Sequence, residues 1–325
     1  MSVRIMRYNF LKEDAGTYGV PMMDPQRTNR LRYLHLTAAI LHSFQCLLVI
    51  GFIGSNFLEG AGVVQITQQV TKWGVPNSTN STDTPGAKSI GGNFTLTVVP
   101  LNMFQADIKI IIAFFFLLAA ADHWLVWTVL PWWFQLPLAE TGAYARMIEY
   151  SVSASLMAVA IAIETGIRDL TSLSGIFFLM WCCMIFGLLA EYLIQDNNPK
   201  WAWVAHVAGW IPFLAGYWPI LYAYFAANAI SDSQAPLFVT GIVFAELITF
   251  VTFGVVQLLY LRYKNLQPGL WGIFHKCAPR VFKSEPWTPE MARYKSEMMF
   301  LLLSIVSKTV LAWTVLGPVL VSKYS

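Results

Sequence analysis

The sequence predicts an all-α membrane protein of seven transmembrane helices, N-terminus cytoplasmic, with a β-hairpin in the first extracellular loop. Three observations carry this. The 325 residues are 56% hydrophobic and 12% charged, with a mean hydropathy of +0.54; soluble domains carry about 25% charge. Seven apolar runs are long enough to cross a hydrocarbon core about 30 Å thick. The Lys and Arg residues fall unevenly among the segments that join them.

Residues 1–33 are polar and basic and hold no apolar core of the signal-peptide kind. They read as a cytoplasmic segment, leaving the first span, 34–57, to target the membrane. The loop 58–107 is long for a connection. In it Val64 and Ile66, then Phe94, Leu96 and Val98, alternate with polar neighbours, the period of a strand. A Gly/Pro/Ser/Asn-rich stretch, 74–92, separates them, so a two-stranded hairpin is expected over the outer face, as a lid or a subunit contact.

The remaining spans are expected at 108–130, 143–165, 172–194, 203–228, 236–261 and 298–321, completing one bundle over 34–321. The third is the least apparent, because it holds Glu149 and Glu164. The fifth carries Pro212 and Pro219, which membrane helices tolerate when neighbours re-satisfy the backbone. The loop 264–297, with Pro268, Gly269, Pro279, Pro286 and Pro289, has room for short helices or a partner. Residues 322–325 form an extracellular C-terminus. Cys46, Cys182 and Cys183 lie in apolar runs and Cys277 in a basic loop, so all read as free thiols.

Charge and glycosylation motifs orient the bundle independently. With the N-terminus inside, cytoplasmic segments hold 15 of the 21 Lys and Arg, among them Arg27, Arg30, Arg146, Arg262, Arg293 and Lys295. The positive-inside rule favours that arrangement. Sequons at Asn77, Asn80 and Asn93 all lie in the first loop and place it outside. They also favour a eukaryotic or eukaryotic-virus source.

From Met298 to Val321 the only charged residue is Lys308. At about 1.5 Å rise per residue it stands roughly 16 Å or more from either flanking charge. A lysine at that depth needs a partner or must be neutralised. One neutralising chemistry is a Schiff base with an aldehyde, which if protonated requires a carboxylate nearby. The candidates are Glu149, Glu164, Glu191, Glu246 and Asp122. Glu149 is favoured, since Ser153 follows one turn later on the same face; Ser304 likewise precedes Lys308 by one turn.

Lys308 in "LLLSIVSKTVLAW" and Glu149 in "EYSVSASLM" resemble the seventh and third helices of the heliorhodopsins. The resemblance extends to "LHSFQ" (Leu41 to Gln45), to His123 in "AAADHW" and to "FGLLAE" ending at Glu191, and covers nearly all of 30–321. It implies a rhodopsin-type bundle of inverted topology. It implies all-trans-retinal bound covalently to Lys308, with Glu149 as counterion of the protonated Schiff base and Ser304 and Ser153 bonding near it. Met157 and the aromatics Trp210, Tyr217, Trp218, Phe244, Phe250 and Trp313 would enclose the polyene. His42 and His123 would line a polar cavity on the cytoplasmic side, with Glu191 near the inner end of span four. Light would isomerise the retinal to 13-cis, and a slow thermal cycle would return it.

Two features depart from the family pattern. Glu246 sits mid-span where the family has apolar residues, and Val256 stands in place of the usual Asn. An intramembrane carboxylate is by default a functional group. The expected function is therefore a light sensor that does not pump, signalling through a cytoplasmic partner. The alternative is a light-activated proton channel using Glu149 and Glu246. No enzyme activity and no nucleic-acid partner are expected; the partners are the bilayer and, from the family, a second copy in a homodimer. A G-protein-coupled receptor would need the N-terminus outside, and the chain lacks Asp-Arg-Tyr after span three and Asn-Pro-x-x-Tyr in span seven. A secondary transporter would show an inverted repeat, and none is visible.

Overall fold

The computed structural model describes residues 24–54, 62–74, 88–90, 94–129, 138–196, 198–230, 235–265 and 289–321. Seven of its helices are long and apolar enough to cross a membrane. They are α1 (Pro25–Gly54), α2 (Ile108–Thr128), α3 (Leu138–Glu164), α4 (Leu170–Gln195), α5 (Pro199–Ile230), α6 (Leu237–Asn265) and α7 (Pro289–Val321). Between α1 and α2 lie the strands β1 (Val63–Gly74), β2 (Lys88–Ile90) and β3 (Phe94–Asp107). The seven-helix fold and the antiparallel hairpin are both as the sequence predicts. The sequons at Asn77, Asn80 and Asn93, the segment 1–23 and residues 322–325 lie outside the described residues.

Helices α1 and α7 begin nine residues before their apolar runs, so part of the expected 264–297 loop is helix. Local signals explain both starts. Pro25 and Pro289 occupy the first helical position, where a missing N–H is harmless. Asp24 Oδ1 accepts the Gln26 N–H at 3.2 Å, and Glu290 lies in the first turn of α7, favourable to the helix dipole. Glu290 then ties the two starts together, accepting from Asp24 N at 2.9 Å and pairing with Arg27 at 3.0 Å.

Helix α3 is central: 72% of its apolar window is buried within the protein, against 22% for α4. This accounts for its weak signal as a span. A helix surrounded by other helices can carry Glu149, Ser151, Ser153 and Ser155 because none of them meets lipid; Ser153 and Ser155 are wholly buried. Around it the main core joins α2, α3, α5, α6 and α7 through Phe115, Ile161, Phe213, Ile242 and Leu311.

The sheet has three strands in the order β1-β3-β2, one more than expected. β1 pairs antiparallel with β3 from Val63↔Asp107 to Gly74↔Thr95, and β2 adds at Lys88↔Leu96. The register slips at Ile66/Thr67. There Ile66 is buried against the helices, and Thr67 N donates to Arg168 O at 2.9 Å, in the turn joining α3 to α4. That turn depends on Gly166, whose φ of 95° suits glycine. Asp169 completes the junction, capping α4 through Ser172 N at 2.9 Å and accepting from Gln69 N at 3.2 Å. The sheet is thereby fixed to the bundle.

Candidate functional site

Lys308 lies on α7 and is 2% exposed. Its Nζ stands 3.2 Å and 3.3 Å from the two Glu149 oxygens, and donates to Ser304 Oγ at 3.0 Å. The Tyr150 ring lies 4.8 Å from Nζ, and the Tyr150 hydroxyl donates to Phe300 O at 3.2 Å. A four-residue step returns a helix to nearly the same face, which aligns Ser304 under Lys308. Two buried charges held this closely are stable as a pair, and removing either leaves the other stranded. Of the other carboxylates considered for this role, Glu164 is the last residue of α3, roughly 22 Å along the helix from Glu149. Asp122 stands beside His123, with Oδ2 3.5 Å from Nδ1.

The amine opens into a cavity bounded by α3, α4, α5, α6 and α7. Counting its mouth, the space is about 800 Å³, within the range of about 300–1,000 Å³ for small-molecule sites. Its walls are mainly apolar, with Met147, Met157, Met180, Trp210, Phe213 and Phe250 among them. Polar atoms gather near Lys308, where Ser153, Ser304 and Ser307 also line it. The buried Ser153 Oγ has no hydrogen-bond partner among the described residues. An apolar chamber with one amine and an unpartnered hydroxyl fits a long apolar aldehyde such as retinal.

The aromatics expected around the polyene divide between the cavity and other surfaces. Trp210 and Phe250 line the cavity. Tyr217 stands behind it, packed against Phe213 and Phe250 at 5.9 and 6.2 Å, its hydroxyl donating to Val243 O at 2.7 Å. Trp218 is 65% exposed and Phe244 36%, and neither lines the cavity; nor does the half-buried Trp313. Helical geometry requires the division: adjacent residues such as Tyr217 and Trp218 point about 100° apart, so both cannot face inward.

Two further polar clusters are buried. His42 and His123, the pair expected to line a cytoplasmic cavity, stack with ring centroids 5.7 Å apart. His35, not anticipated, joins them, its Nδ1 3.2 Å from that of His123. Among the described residues neither nitrogen of His42 meets a hydrogen-bond partner. The second cluster holds Glu191. Arg293 Nη1 donates to Glu191 at 2.8 Å and lies 3.6 Å from Glu297; Arg146 pairs closely with Glu297 and stands 3.8 Å from Glu191. Two positive and two negative side chains cancel. Arg146 lies over the Phe300 ring at 3.9 Å, and Arg293 over Tyr260 at 4.5 Å. As sequence, Arg146 and Arg293 counted as loop charges; here they are interior, 5% and 4% exposed. The i,i+4 pair Arg293/Glu297 was the available signal.

Glu246 on α6 is wholly buried. One oxygen accepts from Ser307 Oγ at 2.7 Å and the other has no partner among the described residues. Ser307 is the neighbour of Lys308, so two carboxylates from different helices reach adjacent residues of α7.

The family model for heliorhodopsins matches residues 31–272. The chain belongs to the heliorhodopsin family. No curated protein matches it. As a heliorhodopsin it is a multi-pass membrane protein of the retinal-binding, light-sensing kind. The match ends before α7, so the place of Lys308 in this heliorhodopsin rests on the geometry above.

Proposed function

We propose that this chain is a photoreceptor that carries all-trans-retinal covalently at Lys308 Nζ, with Glu149 as the counter-charge, and signals to a cytoplasmic partner without pumping ions. The observation that carries this is an amine–carboxylate pair lining a largely apolar cavity. Retinal, when bound, supplies the visible absorption and the all-trans to 13-cis isomerisation with its slow thermal return.

The protein's residues do the rest. Glu149 holds positive charge at Nζ, and Ser304 accepts an N–H from the same atom. Ser153 offers a hydroxyl to the cavity. The apolar walls lower the local dielectric, which strengthens each of these interactions. His42 and His123, with His35 beside them, would take a proton on the side of α1 and α2. We read the chain as a receptor rather than an enzyme. The lysine and arginine distribution supports the N-terminus inside and the C-terminus outside, and the three sequons support a glycosylated outer loop. Exposed Leu101 and Met103 on β3 support a homodimer contact through the sheet.

Lys308→Ala tests the reading. The purified variant, given retinal, is expected to be colourless, and a retained visible band would end it. A second reading is favoured by Glu246. A buried carboxylate bonded to the neighbour of Lys308 supports a light-activated proton channel in which Glu149 and Glu246 relay the proton.

A further inference from the structure

The wall that α5 lends to the cavity is held by a chain of hydrogen bonds with a fixed direction. An indole N–H can only donate. Trp210 Nε1 donates to His206 Nε2 at 3.2 Å, so the His206 proton sits on Nδ1. That nitrogen faces Gln257 Oε1 at 3.0 Å, and the Gln257 amide donates onward to Gly187 O at 2.9 Å. His206 and Gln257 are each 5% exposed, and the chain joins α5, α6 and α4.

The indole also occupies space that helix α6 leaves open at one residue. A Cβ at Gly254 would stand 2.6 Å from Trp210 Cζ2 and 2.9 Å from Cη2. No side chain tolerates such contacts, and the ring has little freedom to retreat. Its nitrogen is tied to His206, and its ring packs on that of Phe213, centroids 5.6 Å apart and nearly perpendicular. Gly254 and Gln257 are three residues apart on one face of α6; His206 and Trp210 are four apart on one face of α5. One helix supplies both the gap and the anchor for the other's aromatic wall.

We propose that Gly254, His206 and Gln257 are positioning residues for Trp210, and that this clamp sets the shape of the retinal cavity along α5. The proposal rests on the reading that the cavity takes retinal. A merely structural glycine, admitting two helices to close approach, would change stability and leave the absorption band in place.

The test is a double-mutant cycle on the full chain in detergent, comparing Gly254→Ala, Trp210→Phe and the pair. Two quantities are read: the melting temperature of the retinal-free protein, and the absorption maximum and retention of all-trans-retinal. Gly254→Ala is expected to lower the melting temperature, move the band and weaken retinal retention about tenfold, the scale of over-packing. In the Trp210→Phe background, where the clashing ring atoms are gone, the same change is expected to do little. Additive effects, or an unmoved band in Gly254→Ala, would overturn the proposal. Should Gly254→Ala fail to fold, Gln257→Leu, which unties His206, is expected to move the band with Trp210 intact; an unmoved band there counts equally against it. If the unaltered protein takes up no retinal, the functional reading fails, while the melting-temperature cycle still tests the clamp.

Discussion

Lys308 and Glu149 are 159 residues apart in the chain and in contact in the fold. Both were legible in the sequence because a charge inside an apolar run is conspicuous. Ser304 and Ser153 followed from helical spacing. What was not legible is the cluster of Arg146, Arg293, Glu191 and Glu297, since charges near the ends of apolar runs look the same whether they meet water or each other. His206 was hidden for a related reason: its partner Gln257 is 51 residues away on another helix. The buried Lys308–Glu149 pair is the place to test the photochemistry. Glu149→Gln keeps shape and hydrogen-bonding capacity but leaves the Lys308 charge uncompensated. Breaking a buried pair this way costs about 3–5 kcal/mol, so the retinal-free protein should melt lower. With retinal bound, a counter-charge confines positive charge near Nζ, and its loss lets that charge spread along the polyene. The band is expected to move to longer wavelength; an unchanged spectrum would remove Glu149 from the role.

At the scale of elements, the apolar runs located all seven helices, and polar starts hid the first turns of α1 and α7. The strand alternation found the hairpin but not the three-residue β2, too short to show a period. Nothing in the sequence announced that Asp169 would join the sheet to the bundle, because the contact spans 100 residues. Its consequence is a pH dependence. The Ser172 N–H, and then that of Gln69, hold the Asp169 carboxyl below its ordinary value of 3.8. A carboxyl depressed in the folded state stabilises it above the unfolded value, and that stability is lost as pH falls through the folded value. Docking of β1 should therefore be intact at neutral pH and weaken in acid below about pH 4. Asp169→Ala should remove both the cap and the strand contact, at about 0.5–2 kcal/mol for the cap alone. Amide hydrogen exchange at Thr67 and Gln69 would report it. Protection equal to that of the unaltered protein would show that the Thr67–Arg168 backbone bond suffices.

For the whole molecule, the distinction is between a sensor that keeps its protons and a channel that passes them. The fold brings two carboxylates to adjacent residues of α7: Glu149 to Lys308 and Glu246 to Ser307. A sensor has use for the first only. An isolated carboxylate inside a bundle is expensive, and Glu246, with one oxygen unpartnered, is poorly compensated as a structural group. Against conduction stands the neutral cluster of two arginines and two glutamates joining α3, α4 and α7, which must part or relay for a proton to pass. A light-evoked current in voltage-clamped cells supplied with retinal, at two external pH values, decides between them. The visible band of the same cells shows that pigment is present. A channel predicts a reversal potential that follows the proton gradient, and a current that Glu246→Gln reduces by about tenfold or more while the pigment stays, the scale of losing one proton-transfer group. A current that Glu246→Gln leaves untouched removes Glu246 from any relay. Pigment with no current at either pH leaves the sensor, and makes Glu246 a carboxylate kept for its bond to Ser307.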